Sequence, residues 1–478
     1  MSSIATKSLH GIIWSTIENF SLQGVQFLIG IVLARLLSPS DFGMIGMLSI
    51  FMGVSQTFID CGFSSALIRQ KEVSSKDYGT TFLINFTFSL VAFTILFFSA
   101  PFVAEFYNML ELKPVMQVFS TILIVNALFT VHKVKLTRNI DFKTQSKASI
   151  CAAIFSGTLG IILAYNGYGV WSLVYQALCN SILNLILFTI LLKWFPLPTF
   201  SRNSFKKLFG FGSKIFIASI ISSIYSNLYN IVIGKKFSAS TLGYYSRAEQ
   251  LGLFPSQNIA GILSRVTYPI LSQLQDDQDK LKFVYTKYLQ LSCFIVFPLM
   301  MGLAALAKPL IVFLFGDKWE PSAILLQILC IGFMFDPICN INLNLLYVKG
   351  RSDLVLKLEI IKKTIAVIIL IASIPFGLTG LCVGRSLYGI VATLLNMTYT
   401  KRFVDLSIWD QVKLILPSLA LSLLMAAGSY STTLTGLNHA LQVFFGGIIG
   451  LTLYFFFAKV FKMSAMENIV KFVKNKKE

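Results

Sequence analysis

The chain has 478 residues, 55% of them hydrophobic and only 13% charged, with a mean hydropathy of +0.74 and a formal net charge of +19. Soluble domains carry about 25% charged residues, so a soluble enzyme or nucleic-acid-binding domain is excluded and an all-α polytopic membrane protein is indicated. Three histidines, and seven cysteines that all fall in apolar segments, argue against a metal centre, a cofactor cage or a disulfide framework.

In chain order, fourteen apolar runs long enough to cross ~30 Å of hydrocarbon fall near 11–34, 42–66, 79–104, 114–135, 146–165, 169–192, 210–234, 242–268, 283–307, 321–347, 355–375, 379–400, 411–430 and 440–461. The first run carries Glu18 and no small-residue cleavage site follows it, so it reads as a permanent span rather than a signal peptide. An apolar stretch near 309–315 reads as a short interfacial piece between the ninth and tenth spans. With the N-terminus inside and the spans alternating, nearly all of the basic excess falls in inside segments. That is the positive-inside pattern, and it places both termini in the cytoplasm. Attraction to anionic lipid headgroups accounts for the net charge without any nucleic-acid partner. Trp171, Trp194, Trp319 and Trp409 lie at predicted span ends, where an interfacial belt is expected. Pro255, Pro298, Pro337 and Pro417 each remove a backbone hydrogen bond inside a span and predict bends.

Residues 31–46, IVLARLLSPSDFGMIG, return as 231–246, IVIGKKFSASTLGYYS. Ile31, Val32, Ser38, Ser40 and Gly43 are identical to Ile231, Val232, Ser238, Ser240 and Gly243. The first copy joins spans one and two and the second joins spans seven and eight, so equivalent helices run the same way. This predicts two parallel-repeat six-helix lobes, residues 1–200 and 201–405, with 406–478 adding two C-terminal helices and a basic cytoplasmic tail. A weaker echo, YNGYGVWSLV at span six and PFGLTGLCVG at span twelve, supports it. Gly43 and Gly243 are expected where helix backbones approach closely. Two such lobes suit alternating access, one rocking on the other around a midplane cavity.

Charges inside spans cost about 2.5–3.5 kcal/mol each at mid-helix and mark function by default. At 1.5 Å per residue, Arg247 and Arg385 lie roughly 9 Å below the outer interface, and Glu18 roughly 10 Å from the inner one. The first copy of the repeat has Met47 where the second has Arg247. Arginine is always charged and forks onto phosphate oxygens, so Arg247 and Arg385 are the candidate anion clamp. Glu249, two residues on, points elsewhere round the helix and joins Asp336 as a candidate coupling group. Asp336, beside Pro337, reads equally as a carboxylate tied to a broken helix. Asp60 and Arg265 lie near inner ends, where a long side chain or helix end reaches water. Span one carries Glu18, Gln23 and Gln26. Span seven carries Ser222, Ser223, Ser226, Asn227 and Asn230. Of these polar groups, Glu18, Gln26, Asn227 and Asn230 are the candidates to face substrate in a water-filled cavity, the alternative being bonds from helix to helix.

The segments ARLLSPSDFGMIGMLSIF, FIDCGFSSALIRQKEVSSKDY, GYYSRAEQLGLFPSQNIAGILSRVTYPILSQLQ and GDKWEPSAILLQIL resemble the polysaccharide transporter family of the multidrug/oligosaccharidyl-lipid/polysaccharide exporter superfamily, within it the Wzx-like flippases of exopolysaccharide and O-antigen export. The resemblance runs the length of the chain. It implies a fourteen-helix protein of the bacterial inner membrane that passes undecaprenyl-diphosphate-linked oligosaccharide from the cytoplasmic to the periplasmic leaflet. Its implied partners are that lipid-linked oligosaccharide, membrane lipids, and glycan polymerase or assembly proteins. It implies no catalysis, cofactor, metal or nucleic acid. One departure is Tyr229, in NLYNIVIG, where such relatives often have an acid, so ion coupling at that position is not implied. Two rival readings remain. A drug/cation antiporter of the same superfamily would want an acidic cavity, and a polytopic glycan polymerase would want acids and bases on larger outside loops.

Overall fold

A computed structural model describes residues 20–463 and 465–466; the candidate Glu18 lies outside them. The described residues are helices and turns with no strand. The chain falls into two compact units, Met1–Gly243 and Tyr244–Glu478.

In the first unit the helices are α1 (Phe20–Leu36), α2 (Pro39–Asp60), α3 (Phe63–Arg69), α4 (Ser75–Phe106), α5 (Leu112–Phe119), α6 (Thr121–Arg138), α7 (Phe142–Tyr165), α8 (Val170–Leu192) and α9 (Arg202–Lys236). The last few residues of the unit begin α10 (Ala239–Gln273). The second unit continues α10 and adds α11 (Gln278–Ala305), α12 (Ala307–Phe315), α13 (Ser322–Phe333), α14 (Asp336–Val348), α15 (Ser352–Ser373), α16 (Gly377–Val404), α17 (Ile408–Ser431) and α18 (His439–Val460).

Eleven helical segments among the described residues are long and apolar enough to cross a membrane. One of them, Ser352–Val404, holds two helices, α15 and α16. Two predicted spans are not among the eleven. The described part of α1 is short, and α10 is long but carries too many polar residues. The predicted interfacial piece is present as α12. Pro337 sits in the first turn of α14, and span ten is broken just before it, between Phe333 and Asp336. Proline without an N–H is tolerated at a helix start, so the chain restarts there rather than bending. Pro255, Pro298 and Pro417 remain inside α10, α11 and α17.

The first unit packs α2 against α9, α7 against α8, and α4 against α6. Its core gathers Phe63, Leu67, Tyr78, Phe82 and Val131, with Trp194 against them. Lys135 lies 3.6 Å from the centre of the Trp194 ring, a cation–π contact, and the Trp194 carbonyl lies 3.1 Å from His132 Nε2. The second unit packs α11 against α17, α13 against α16, and α15 against α16. Phe294, Leu421, Met425 and Tyr454 join α11, α17 and α18. Tyr285 places its hydroxyl 2.8 Å from Asn342 and 2.9 Å from Gln411, and Thr400 donates to Asn342 at 2.7 Å. These buried polar groups fix four helices in one register, because an unmatched partner inside lipid costs several kcal/mol.

Two placements differ from expectation. Trp319 is fully buried, set edge-on to Tyr244 and against Phe315, so it plugs the turn after α12 instead of lying in an interfacial belt. Lys357, Glu359, Lys362 and Lys363 lie along α15, so part of the apparent inside charge is carried within a helix.

Candidate functional site

The repeated segment has a local reason and a packing reason. Ser38 caps α2: its hydroxyl accepts from the Asp41 N–H at 3.3 Å, and the Asp41 carboxylate accepts from the Ser38 N–H at 2.8 Å. Ser238 caps α10 in the same way, accepting from the Thr241 N–H at 3.1 Å. Such caps satisfy N–H groups that a helix start leaves without partners. Five residues into each helix is the shared glycine. A Cβ on Gly43 would run into the backbone of Ala239, and a Cβ on Gly243 into the backbone of Pro39. Adding 200 to Gly43 and subtracting 200 from Ala239 turns the first contact into the second. The starts of α2 and α10 therefore cross reciprocally, as two copies of one motif do about a twofold axis.

Below this crossing α9 runs along α2. Gly234 lies against Met47 and Tyr107, and a Cβ on Gly53 would stand 3.2 Å from the Ser223 hydroxyl. Ser49 donates to Asn227 Oδ1 at 2.9 Å, and Asn230 donates to Ser49 at 3.1 Å. At the far end a Cβ on Gly212 would stand 2.9 Å from the Cys61 carbonyl. Of the polar stripe on span seven, Asn227 and Asn230 thus bond helix to helix through Ser49. Gln26, on α1, is exposed.

The second unit holds a cluster of charges. Arg385 acts electrostatically on both Glu249 and Asp336. Lys362 acts on Asp336 as well, and pairs with Glu359 one turn before it. Lys363 feels Glu359, Lys362 and Arg385. Glu249 also accepts from the buried Tyr245 hydroxyl at 2.9 Å. The Ser256 hydroxyl lies between Asp336 and the Phe333 carbonyl, 2.7 Å from the latter, and its single proton can serve either acceptor. Arg385 stands 5.8 Å from the centre of the Phe333 ring. At 1.5 Å per residue these groups sit roughly 10–21 Å along their helices or spans, well inside the membrane. Three cations thus meet three carboxylates on α10, α14, α15 and α16. Such a set holds ionised groups away from bulk water and can exchange an internal carboxylate partner for an incoming anion.

A sequence profile described as "Polysaccharide biosynthesis protein" matches residues 32–324. The chain belongs to that polysaccharide biosynthesis family. Among curated relatives it is similar to the lipopolysaccharide biosynthesis protein WzxC of Escherichia coli (strain K12), 25% identical over 435 residues that cover 88% of each chain. It is also similar to the teichuronic acid biosynthesis protein TuaB of Bacillus subtilis (strain 168), 24% identical with 74% of each covered. Among solved structures it has the fold of the lipid II flippase MurJ in an inward closed conformation, with a TM-score of 0.74 at 18% identity over 94% of this chain and 98% of that one. An inward-facing multidrug resistance transporter of the MATE family shares the fold at a TM-score of 0.60, 16% identity, and 83% and 98% coverage.

For this family member the candidate residues divide plainly. Arg385, Glu249 and Asp336 come together. Arg247 donates to Gln250 one turn on at 2.7 Å. Asp60, near an inner end, is hydrogen-bonded to Ser64 across the α2–α3 turn, and Arg265 is exposed. Tyr229 is buried. Sequence reading passed over Lys362, which is only 5% exposed. The signal was there: Glu359 and Lys362 stand one turn apart, flanked by Lys357 and Lys363, in a segment apolar enough to be counted as a span.

Proposed function

We propose that this family member is a flippase that carries a polyprenol-diphosphate-linked oligosaccharide from the inner to the outer leaflet of a bacterial cytoplasmic membrane, for surface polysaccharide assembly. The observation that carries the reading is the charge cluster around Arg385 well inside the membrane, in a chain of a polysaccharide biosynthesis family. A diphosphate is the most anionic part of such a substrate and the part least able to cross hydrocarbon unaided. Arg385, with Lys362 and Lys363 beside it, supplies a fork and two point charges. Asp336, Glu249 and Glu359 keep the cluster balanced when no substrate is bound. Arg247 serves as a second contact for the diphosphate on α10, and Gln26, exposed on α1, is the member of the polar stripe left to meet a sugar.

The cycle we infer is alternating access between lobes 1–200 and 201–405, with 406–478 as two appended helices. It rests on equivalent positions starting equivalent helices: Pro39 and Ala239 follow capping serines, and Gly167, just before α8, and Gly377, the first residue of α16, both have positive φ. We count fourteen crossings, taking α1 and α10 as spans and Ser352–Val404 as two. Both termini then fall on the basic, cytoplasmic side. Asp336 and Glu249 are the candidate coupling groups. No bond of the substrate is made or broken, and a glycan polymerase takes over at the outer leaflet.

Deleting the chain in its native host should strand lipid-linked oligosaccharide on the inner leaflet, and the intact chain should restore delivery. Normal delivery in the deletion strain, or transport of organic cations in place of lipid-linked sugar, overturns the reading.

A further inference from the structure

A cavity unrelated to the Arg385 cluster opens in the second unit, where the turn between α12 and α13 faces the α17–α18 connection. Its volume is about 1010 Å³, at the upper end of the ~300–1,000 Å³ range of small-molecule sites. In the inferred topology this face is outside. Lys308 and Glu320 stand across its wall as an ion pair at 2.7 Å, each more than half exposed. Lys308 beside it holds the Glu320 carboxyl below its usual range, so the pair stays ionised at neutral pH. Gln327 adds an amide, and Tyr430, 48% exposed, adds a ring.

With the His439 ring neutral, the charges of the lining balance: Lys308 and Lys318 against Asp317 and Glu320. A net-neutral wall does not select an anion or a cation. It offers paired donors and acceptors within reach of one another, which is what neighbouring hydroxyls of one ring need. An aromatic face beside such a pair suits the C–H face of a sugar ring, since Tyr presents an apolar body with a polar tip. A lipid tail is disfavoured by the density of charge, and a diphosphate by the absence of a cationic excess.

We propose that this cavity binds the uncharged sugar units of the oligosaccharide on the outer side, holding the glycan after its diphosphate has left the Arg385 cluster. The proposal rests on the flippase reading and adds a second, glycan-specific subsite to it. The two helices α17 and α18, which stand outside the repeat, form one wall of this site, which gives them a role in substrate handling.

The test uses the full chain in its native host. A photo-crosslinking amino acid is placed at Ile324, an exposed wall residue, and for comparison at Phe376, which is exposed on the outer side away from the cavity. Cells are fed a radiolabelled sugar. The expected result is sugar label on the Ile324 adduct and none on the Phe376 adduct, with the label lost when oligosaccharide synthesis is blocked. Glu320→Gln and Gln327→Ala should each lower the labelled yield about tenfold, the effect of losing one strong hydrogen bond, at unchanged protein level. Adducts to protein or lipid without sugar, equal label at both positions, or yields unmoved by both substitutions overturn the proposal. If the deletion strain strands no substrate, the flippase reading fails instead; stranded substrate with sugar-free Ile324 adducts refutes only the cavity.

Discussion

Gly43→Ala is the smallest change that tests the crossing of the repeated motif. The added Cβ would lie 2.9 Å from the Ala239 Cα and closer still to its carbonyl, where ordinary contact begins at 3.4 Å. The obstacle is backbone, so no rotamer relieves it. The starts of α2 and α10 must separate, at the ~1–3 kcal/mol typical of overpacking. If this crossing closes the outer side and is broken when that side opens, the full cost falls on the closed state. The open population then rises about 5- to 150-fold. Gly243→Ala should do the same, because its Cβ meets Pro39 in the reciprocal contact. The double variant should cost less than the sum of the singles, since one separation relieves both. Ser49→Cys, below the crossing on α2, reports the opening through its labelling rate with a membrane-impermeant maleimide added outside. Faster labelling in both glycine variants is expected. Unchanged labelling in both, at normal protein level, refutes the crossing as an outer closure.

Arg385→Ala should abolish delivery of lipid-linked oligosaccharide at normal protein level, and Arg385→Lys should restore only part of it, because lysine keeps the charge and loses the fork; full activity in Arg385→Ala removes the clamp. Arg247→Gln should impair delivery less than Arg385→Ala, measured in the same cells, since Arg247 donates to Gln250 on its own helix and glutamine keeps an amide donor there. Asp336→Asn should slow delivery and flatten its pH dependence in vesicles, while an unchanged pH profile returns Asp336 to the role of a tied carboxylate. The Lys308–Glu320 pair lowers the folded pKa of Glu320, so its stabilisation is present above the unfolded value and lost as pH falls through the folded one. The melting-temperature difference between the intact chain and Glu320→Gln should therefore be present near neutral pH and shrink as acid protonates the carboxylate below its ordinary range. Reporter fusions after Ile140 and Lys280 should read cytoplasm, and fusions after Asn108 and Ser238 should read outside.

The local features of the fold are written in the chain. Apolar runs of about twenty residues set the helices because a helix satisfies all of a segment's backbone groups within itself in lipid. Ser38 and Ser238 mark the starts of α2 and α10, since a cap needs only its own next residues. Pro337 marks the break in span ten for the same reason. Even the close approach at Gly43 and Gly243 could be expected, because a glycine kept in both copies of a motif has no side chain to offer and so marks room for backbone. What the linear sequence withholds is neighbourhood. Nothing in the spacing of Glu249, Asp336, Lys362 and Arg385 says that four helices bring them around one guanidinium. Lys362 looked like inside charge until α15 buried it against Glu359, and Trp319 looked like a belt residue until the turn after α12 closed over it. Asn227 and Asn230 read as sugar contacts or as helix glue, and Ser49, 178 and 181 residues away, supplies their hydrogen bonds. The outer cavity has no motif at all, since its wall is assembled from turns that meet only once α12, α13, α17 and α18 have packed. A helix start is decided by bonds among its own few residues, whereas a buried charge or a cavity depends on which distant helices become its neighbours.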